Sequence, residues 1–176
     1  MADGAHLEGP PPSRGGSLTP SPSLHPALEP LAFLLGTWRG TGHGSYPGIE
    51  PFDYGEEIRF GHTGQAYLTY AQRTWHPEGG PSHHEAGFLR KAEANRVELV
   101  LAHSGGRIEY AQGSIEGSTL ELSSREVVNA ATAHPAQAVT RTLTLDGDEL
   151  HSELAMAAMG LPMQPHVKST LRRVPD

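Results

Sequence analysis

The sequence predicts an all-β fold: a closed, antiparallel up-and-down β-barrel of about ten strands, preceded by a short helical turn. Three observations lead there. Apolar segments of strand length recur roughly every 10–15 residues, with turn residues between them. No segment carries a 3.6-residue apolar stripe over three turns, and 21 Gly and 15 Pro in 176 residues work against long helices. Each Gly costs about 1 kcal/mol and each Pro about 3 kcal/mol in a helix interior. Finally, the connections are of hairpin length, so the strands form a meander, and a meander this long must close to hide its edges.

The elements follow in order. Residues 1–30 hold seven of the fifteen prolines and few apolar side chains, and they read as a flexible Pro/Gly/Ser-rich tail ahead of a barrel at 31–176. Leu31–Leu35 reads as a short apolar turn. Strands are expected at Trp38–Gly44, Phe52–Phe60, Ala66–Trp75, His83–Arg90, Arg96–His103, Arg107–Ile115, Thr119–Val128, Ala138–Leu145, Glu149–Met156 and Val167–Val174. The separators include Ser104-Gly105-Gly106, Glu116-Gly117 and Asp146-Gly147, the last of which favours a type I′ hairpin. Period-two alternation supports several of these strands. Val97, Leu99 and Leu101 share one face, as do Leu120 and Leu122. In Ala138–Leu145, Val139, Leu143 and Leu145 form an apolar face that Arg141 interrupts. A barrel of about eight strands just admits a small ligand and one of ten is wider, so the architecture implies a cavity.

Composition excludes several functions. The net charge of −7 and pI near 5.8 argue against a nucleic-acid partner, which calls for a basic patch. The absence of cysteine excludes disulfide scaffolds, thiolate metal sites and thiol peroxidases. The longest apolar runs, Leu31–Leu35 and Leu154–Met159, fall far short of the roughly 20 residues of a membrane span. No charged segment precedes an apolar one near the start, so the expected address is cytoplasmic. Oligomeric state is open, with a homodimer compatible with the sequence.

In Gly36-Thr37-Trp38-Arg39-Gly40-Thr41-Gly42-His43-Gly44, every second residue is Gly or Trp, so Gly36, Trp38, Gly40, Gly42 and Gly44 share a strand face. Such a face lets another backbone or a flat ligand approach closely, or lets the strand bend to close the barrel. Trp38 is placed to plug one end. Gly-x-Trp near the start resembles the signature of calycin barrels, the group that includes fatty-acid-binding proteins. The longer pattern Leu34-Leu35-Gly36-Thr37-Trp38, continuing to Tyr46-Pro47, resembles the opening of the nitrobindin family of haem-binding β-barrels. Tyr54-Gly55-Glu56-Glu57, His84-Glu85-Ala86-Gly87-Phe88-Leu89-Arg90, the segment Met156 to His166, and Thr170-Leu171-Arg172-Arg173 resemble further family motifs in the same order. Together they span Leu31 to Val174.

The resemblance implies a ferric haem b cofactor, nitric oxide and peroxynitrite as small-molecule ligands, and isomerisation of peroxynitrite to nitrate. It puts the proximal iron ligand, and with it the catalytic role, at His166. It also directs attention to Gly48, where the family often has Thr, and to His134, where it often has a Lys that meets a propionate. Gly40 and Gly42 are the expected close-approach positions for the cofactor. From the residues alone, eleven histidines compete for such a role. The neighbours His83 and His84 point to opposite strand faces and cannot form a two-ligand site on one face, and no His-Glu-x-x-His spacing occurs. Strand parity sets His166 opposite Val167, unless Pro165 breaks the pleat. Glu56 and Glu57 also lie on opposite faces and read as solvated carboxylates rather than an acid/base pair. The alternative reading is a haem-free, lipocalin-like carrier of a fatty acid or other apolar ligand, for which Arg141 is the one candidate to meet a carboxylate.

Overall fold

The computed structural model describes residues 22–175 and is a ten-stranded barrel. The strands are β1 (Gly36–Tyr46), β2 (Ile49–His62), β3 (Tyr67–Trp75), β4 (Pro81–Lys91), β5 (Arg96–His103), β6 (Arg107–Glu116), β7 (Thr119–Asn129), β8 (Ala136–Asp146), β9 (Glu149–Ala158) and β10 (Gln164–Val174). Each pairs antiparallel with its neighbour in sequence, and β1 pairs with β10 to close the sheet. All ten expected strands are present; most are extended by up to three residues at an end, while β5 is unchanged and β3 begins one residue later than expected. At Asp146-Gly147 the hairpin is tight, with Asp146 opposite Glu149. Of its two turn residues only Gly147 has positive φ (60°), the pattern of a type II′ turn rather than the expected type I′. Among the described residues no helix is long and apolar enough to cross a membrane.

One end of the barrel is plugged. The inward residues of β1 are the Gly/Trp set, and Trp38 is buried with Ile58, Phe60 and Leu171. Its indole Nε1 donates to the Leu34 carbonyl at 2.7 Å, and the Arg173 guanidinium lies 4.2 Å over its ring. Leu34 ends a 3₁₀ helix, Pro26–Leu34, whose Leu28, Leu31 and Leu34 are all 0% exposed and join the same core. The helix therefore starts before the Leu31 expected from sequence. Pro26 sits in its first turn, where no intrahelical N–H is needed, and the His25 side chain accepts from the Ala27 amide. The last five residues assigned to the tail thus belong to the fold, while residues 1–21 lie outside the described residues. Leu28→Ala is expected to cost about 2–5 kcal/mol in urea unfolding, because it hollows a fully buried site.

The close approach expected at the glycines is made with the protein itself. A side chain at Gly40 would strike the Thr170 carbonyl of β10, one at Gly42 the Tyr54 ring and the Lys168 carbonyl, and one at Gly44 the Phe52 ring. The space at Gly40 and Gly42 is filled by β10 and by β2 side chains, the strand approach that was one of the two alternatives for this glycine face. Gly42→Val should overpack this seam, costing about 1–3 kcal/mol and lowering the melting temperature. A variant that melts like the parent would remove close packing as the reason for the glycine.

Candidate functional site

The open end holds a cavity of about 220 Å³, roughly 20 Å along β1 from Trp38 at 3.4 Å per residue. Phe52, Val139, Leu154, Met156 and Val167 form its apolar wall. His166 lines it too, and the conflict with strand parity is resolved by a β-bulge. Pro165 pairs with Ala155 and Val167 with Leu154, leaving His166 as the extra residue without a partner on β9. Both His166 and Val167 therefore face the cavity. His166 lies within β10 rather than before the final strand.

The His166 ring is oriented from several sides. Its Nδ1 is 3.2 Å from the Ser45 carbonyl, which can only accept, so Nδ1 carries the proton and Nε2 keeps its lone pair. Nε2 has no hydrogen bond among the described residues. The Tyr46 ring meets His166 edge-on at 5.4 Å, and Phe52 does so at 6.3 Å. Tyr46 is itself fixed: its hydroxyl accepts from the Ala158 amide at 3.0 Å and lies within donating distance of the Met156 and Ala158 carbonyls. Burial pushes the His166 pKa below its ordinary value against the opposing effect of the Ser45 carbonyl, so the ring is neutral. The other residues raised by the resemblance do not join it. Gly48 sits in the β1–β2 turn with φ 83° and nothing within 4 Å of a built side chain. His134 is exposed in the β7–β8 loop. Neither lines the cavity.

The floor of the cavity is ionic, and the sequence did not predict it. Glu85 on β4 accepts from both ends of the Arg141 guanidinium, at 2.9 and 3.2 Å, and from the Tyr70 hydroxyl at 2.8 Å. Arg141 also reaches Glu109 on β6 at 3.0 Å. His103 on β5 places Nδ1 2.9 Å from Glu85 and Nε2 3.3 Å from Glu109, and His83 Nε2 lies 3.3 Å from Glu85. Burial alone would raise the Glu85 pKa, but Arg141 and the two histidines outweigh it and hold the carboxyl well below its usual range. Burial likewise opposes the charge on His103, but its two carboxylate neighbours win and raise its pKa. Arg141 is thus committed to two buried carboxylates, which removes it as a free partner for a fatty-acid headgroup. Arg107 also lines the cavity, with no carboxylate at ion-pair distance among the described residues.

Glu56 and Glu57 are not solvated; each is 1% exposed. Glu57, on the outer face, is covered by Arg39, Arg59 and Arg73, which overcome its burial and hold its pKa at about 2. Glu56 faces inward, bonded to Gln72, and burial raises its pKa.

The barrel is plugged at one end and carries at the other a cavity in which the oriented, neutral His166 imidazole presents a free nitrogen beside an apolar wall. Residues 27–173 match the family model described as "THAP4-like, heme-binding beta-barrel domain", and the chain belongs to that family. It is 46% identical over 159 residues to a protein of Nocardia farcinica named peroxynitrite isomerase, an alignment covering 88% of this chain and 95% of the relative. A Mycobacterium marinum protein named peroxynitrite isomerase 2 is 46% identical, covering 85% of this chain and 96% of the relative. The crystal structure of Rv2717c from M. tuberculosis superposes with a TM-score of 0.81 at 42% identity, covering 87% of this chain and all of that one.

Proposed function

We propose that this protein binds ferric haem b through His166 Nε2 and isomerises peroxynitrite to nitrate, with nitric oxide as a further ligand. The observation that carries the reading is the His166 ring: neutral, with Nδ1–H held by the Ser45 carbonyl and Nε2 free on a cavity wall. A carbonyl accepting from the far ring nitrogen is the usual way a protein fixes the tautomer of a metal-binding histidine. The cavity is smaller than the roughly 300–1,000 Å³ of most small-molecule sites, but it is open at its mouth rather than enclosed.

Ferric haem supplies a Lewis-acidic iron with an open coordination position. The protein supplies the rest. His166 holds the cofactor, and Tyr46 and Phe52 keep its ring from turning. Phe52, Leu154, Met156 and Val167 would keep water from the site when the cofactor is bound. Arg107 offers a positive charge to an anion, whether a propionate or the substrate. Conversion of peroxynitrite to nitrate conserves atoms and charge, so the site needs no external reductant and no net proton donor. This suits a chain without cysteine.

Haem-loaded protein mixed with peroxynitrite should accelerate its decay and raise the nitrate yield, followed by stopped flow and anion chromatography. Equal rates for the haem-free chain would overturn the reading. A proton and iron compete for the Nε2 lone pair, and the pKa of that nitrogen lies below its ordinary 6.5. Haem affinity should therefore fall in acid with a midpoint below 6.5. A drop centred above 6.5, seen in Soret titrations, would contradict the buried, neutral ring.

A further inference from the structure

We propose that His83 Nε2, Glu85 Oε2 and His103 Nδ1 form a second metal site, selective for a divalent ion of the zinc class and independent of His166. The three atoms come from adjacent strands, with Glu85 directly opposite His103 in the β4–β5 register and His83 two residues before Glu85 on the same face. Their separations are 2.9 Å (His103 to Glu85), 3.3 Å (His83 to Glu85) and 3.4 Å (His83 to His103). An ion bound at about 2.0–2.1 Å in a tetrahedral site has ligand–ligand edges of roughly 3.3–3.4 Å. The triangle is therefore close to one face of such a tetrahedron before any ion enters. The two imidazole centroids are 5.5 Å apart and tilted by 44°, which leaves the rings unstacked.

The surroundings are those of a metal site. His103 Nε2, its nitrogen away from the triangle, faces Glu109 Oε2 at 3.3 Å. Arg141 grips both oxygens of Glu85 and fixes the carboxylate plane. His103, Glu85 and Glu109 have side chains no more than 2% exposed. Metal-free, His103 has a carboxylate at each ring nitrogen, so an entering ion must displace the proton from Nδ1. With both imidazoles then neutral, two carboxylates and one guanidinium leave the group one negative charge, which a divalent ion converts to one positive. Because His83 and Glu85 line the cavity, the fourth position is open to water or to an anion. Two histidines, one carboxylate and an open position make the donor set of hydrolytic zinc sites.

The test is a Co²⁺ titration of the full-length, tag-free chain, stripped by chelator and free of haem. One equivalent should bind and give the intense visible absorption of four-coordinate Co²⁺, and Zn²⁺ should displace it. His83→Ala removes a half-exposed ligand and should weaken Co²⁺ binding by roughly 100-fold or more, because losing even an outer-shell partner costs 10–100-fold. His166→Ala should bind Co²⁺ like the parent. Absence of saturable binding, a six-coordinate spectrum, unchanged affinity in His83→Ala, or loss in His166→Ala would each overturn the proposal.

Discussion

His166→Ala is expected to fold like the parent and to lose haem affinity by well over 100-fold. The residue occupies a bulge at the cavity wall, half-exposed, and contributes little to the apolar core. Its removal takes away the oriented ring nitrogen that would bond the iron and leaves the apolar wall and Arg107 to hold the cofactor. Outer-shell partners of metal ligands are worth 10–100-fold in affinity, and the ligand itself is worth more. Nitrate formation should fall in parallel. His134→Ala and His84→Ala, at exposed positions away from the cavity, serve as controls and should bind haem normally. Haem titrations of the three variants, with thermal melts to establish folding, check this result. Loss of affinity in His134→Ala instead would move the cofactor contact to the β7–β8 loop.

The second large effect is expected at Arg141. Arg141→Met should destabilise the barrel by about 3–5 kcal/mol, because it removes the guanidinium from between Glu85 and Glu109 and leaves His103 alone to balance two buried carboxylates. Against an ordinary total stability of about 5–15 kcal/mol, that is a severe loss. The deficit has a pH signature. Both carboxyls have lowered pKa values in the parent, so their contribution is present above the unfolded carboxylate range and is lost as pH falls through the folded values. Without Arg141 the two carboxyls take up protons more readily, and protonation relieves their repulsion. The difference between parent and variant should be largest at neutral pH and shrink on acidification toward pH 4. Urea unfolding at several pH values measures it; a deficit that does not change with pH would show that lost packing, not charge, is the cause.

The strands were legible because period-two alternation and turn chemistry are local properties. Arg96–His103 has the same ends in sequence and structure. The helix boundary was not legible, since the prolines that suggest an unstructured tail also suit a 3₁₀ first turn, and only tertiary burial of Leu28 separates the two. The ionic floor was hidden for a different reason. Its members come from β3, β4, β5, β6 and β8, and only the barrel's register brings them together. Considering His83 with His84 pointed away from the answer, because the relevant neighbours are Glu85 at i+2 and His103 on the next strand. One signal was available: Arg141 on an otherwise apolar inward face requires buried counter-charges, and Glu85 and Glu109 are those charges. At His166 the sequence offered both the difficulty and its resolution, since Pro165 marks the point where β10 gains its extra residue.

The claim on which the function rests is a bond between haem iron and His166 Nε2. Resonance Raman spectroscopy of the reduced, haem-loaded chain tests it directly. The account predicts an iron–imidazole stretching band in the parent that disappears in His166→Ala and returns when free imidazole is added. The same band, unshifted, in His166→Ala without imidazole would assign the bond to another histidine and contradict the account.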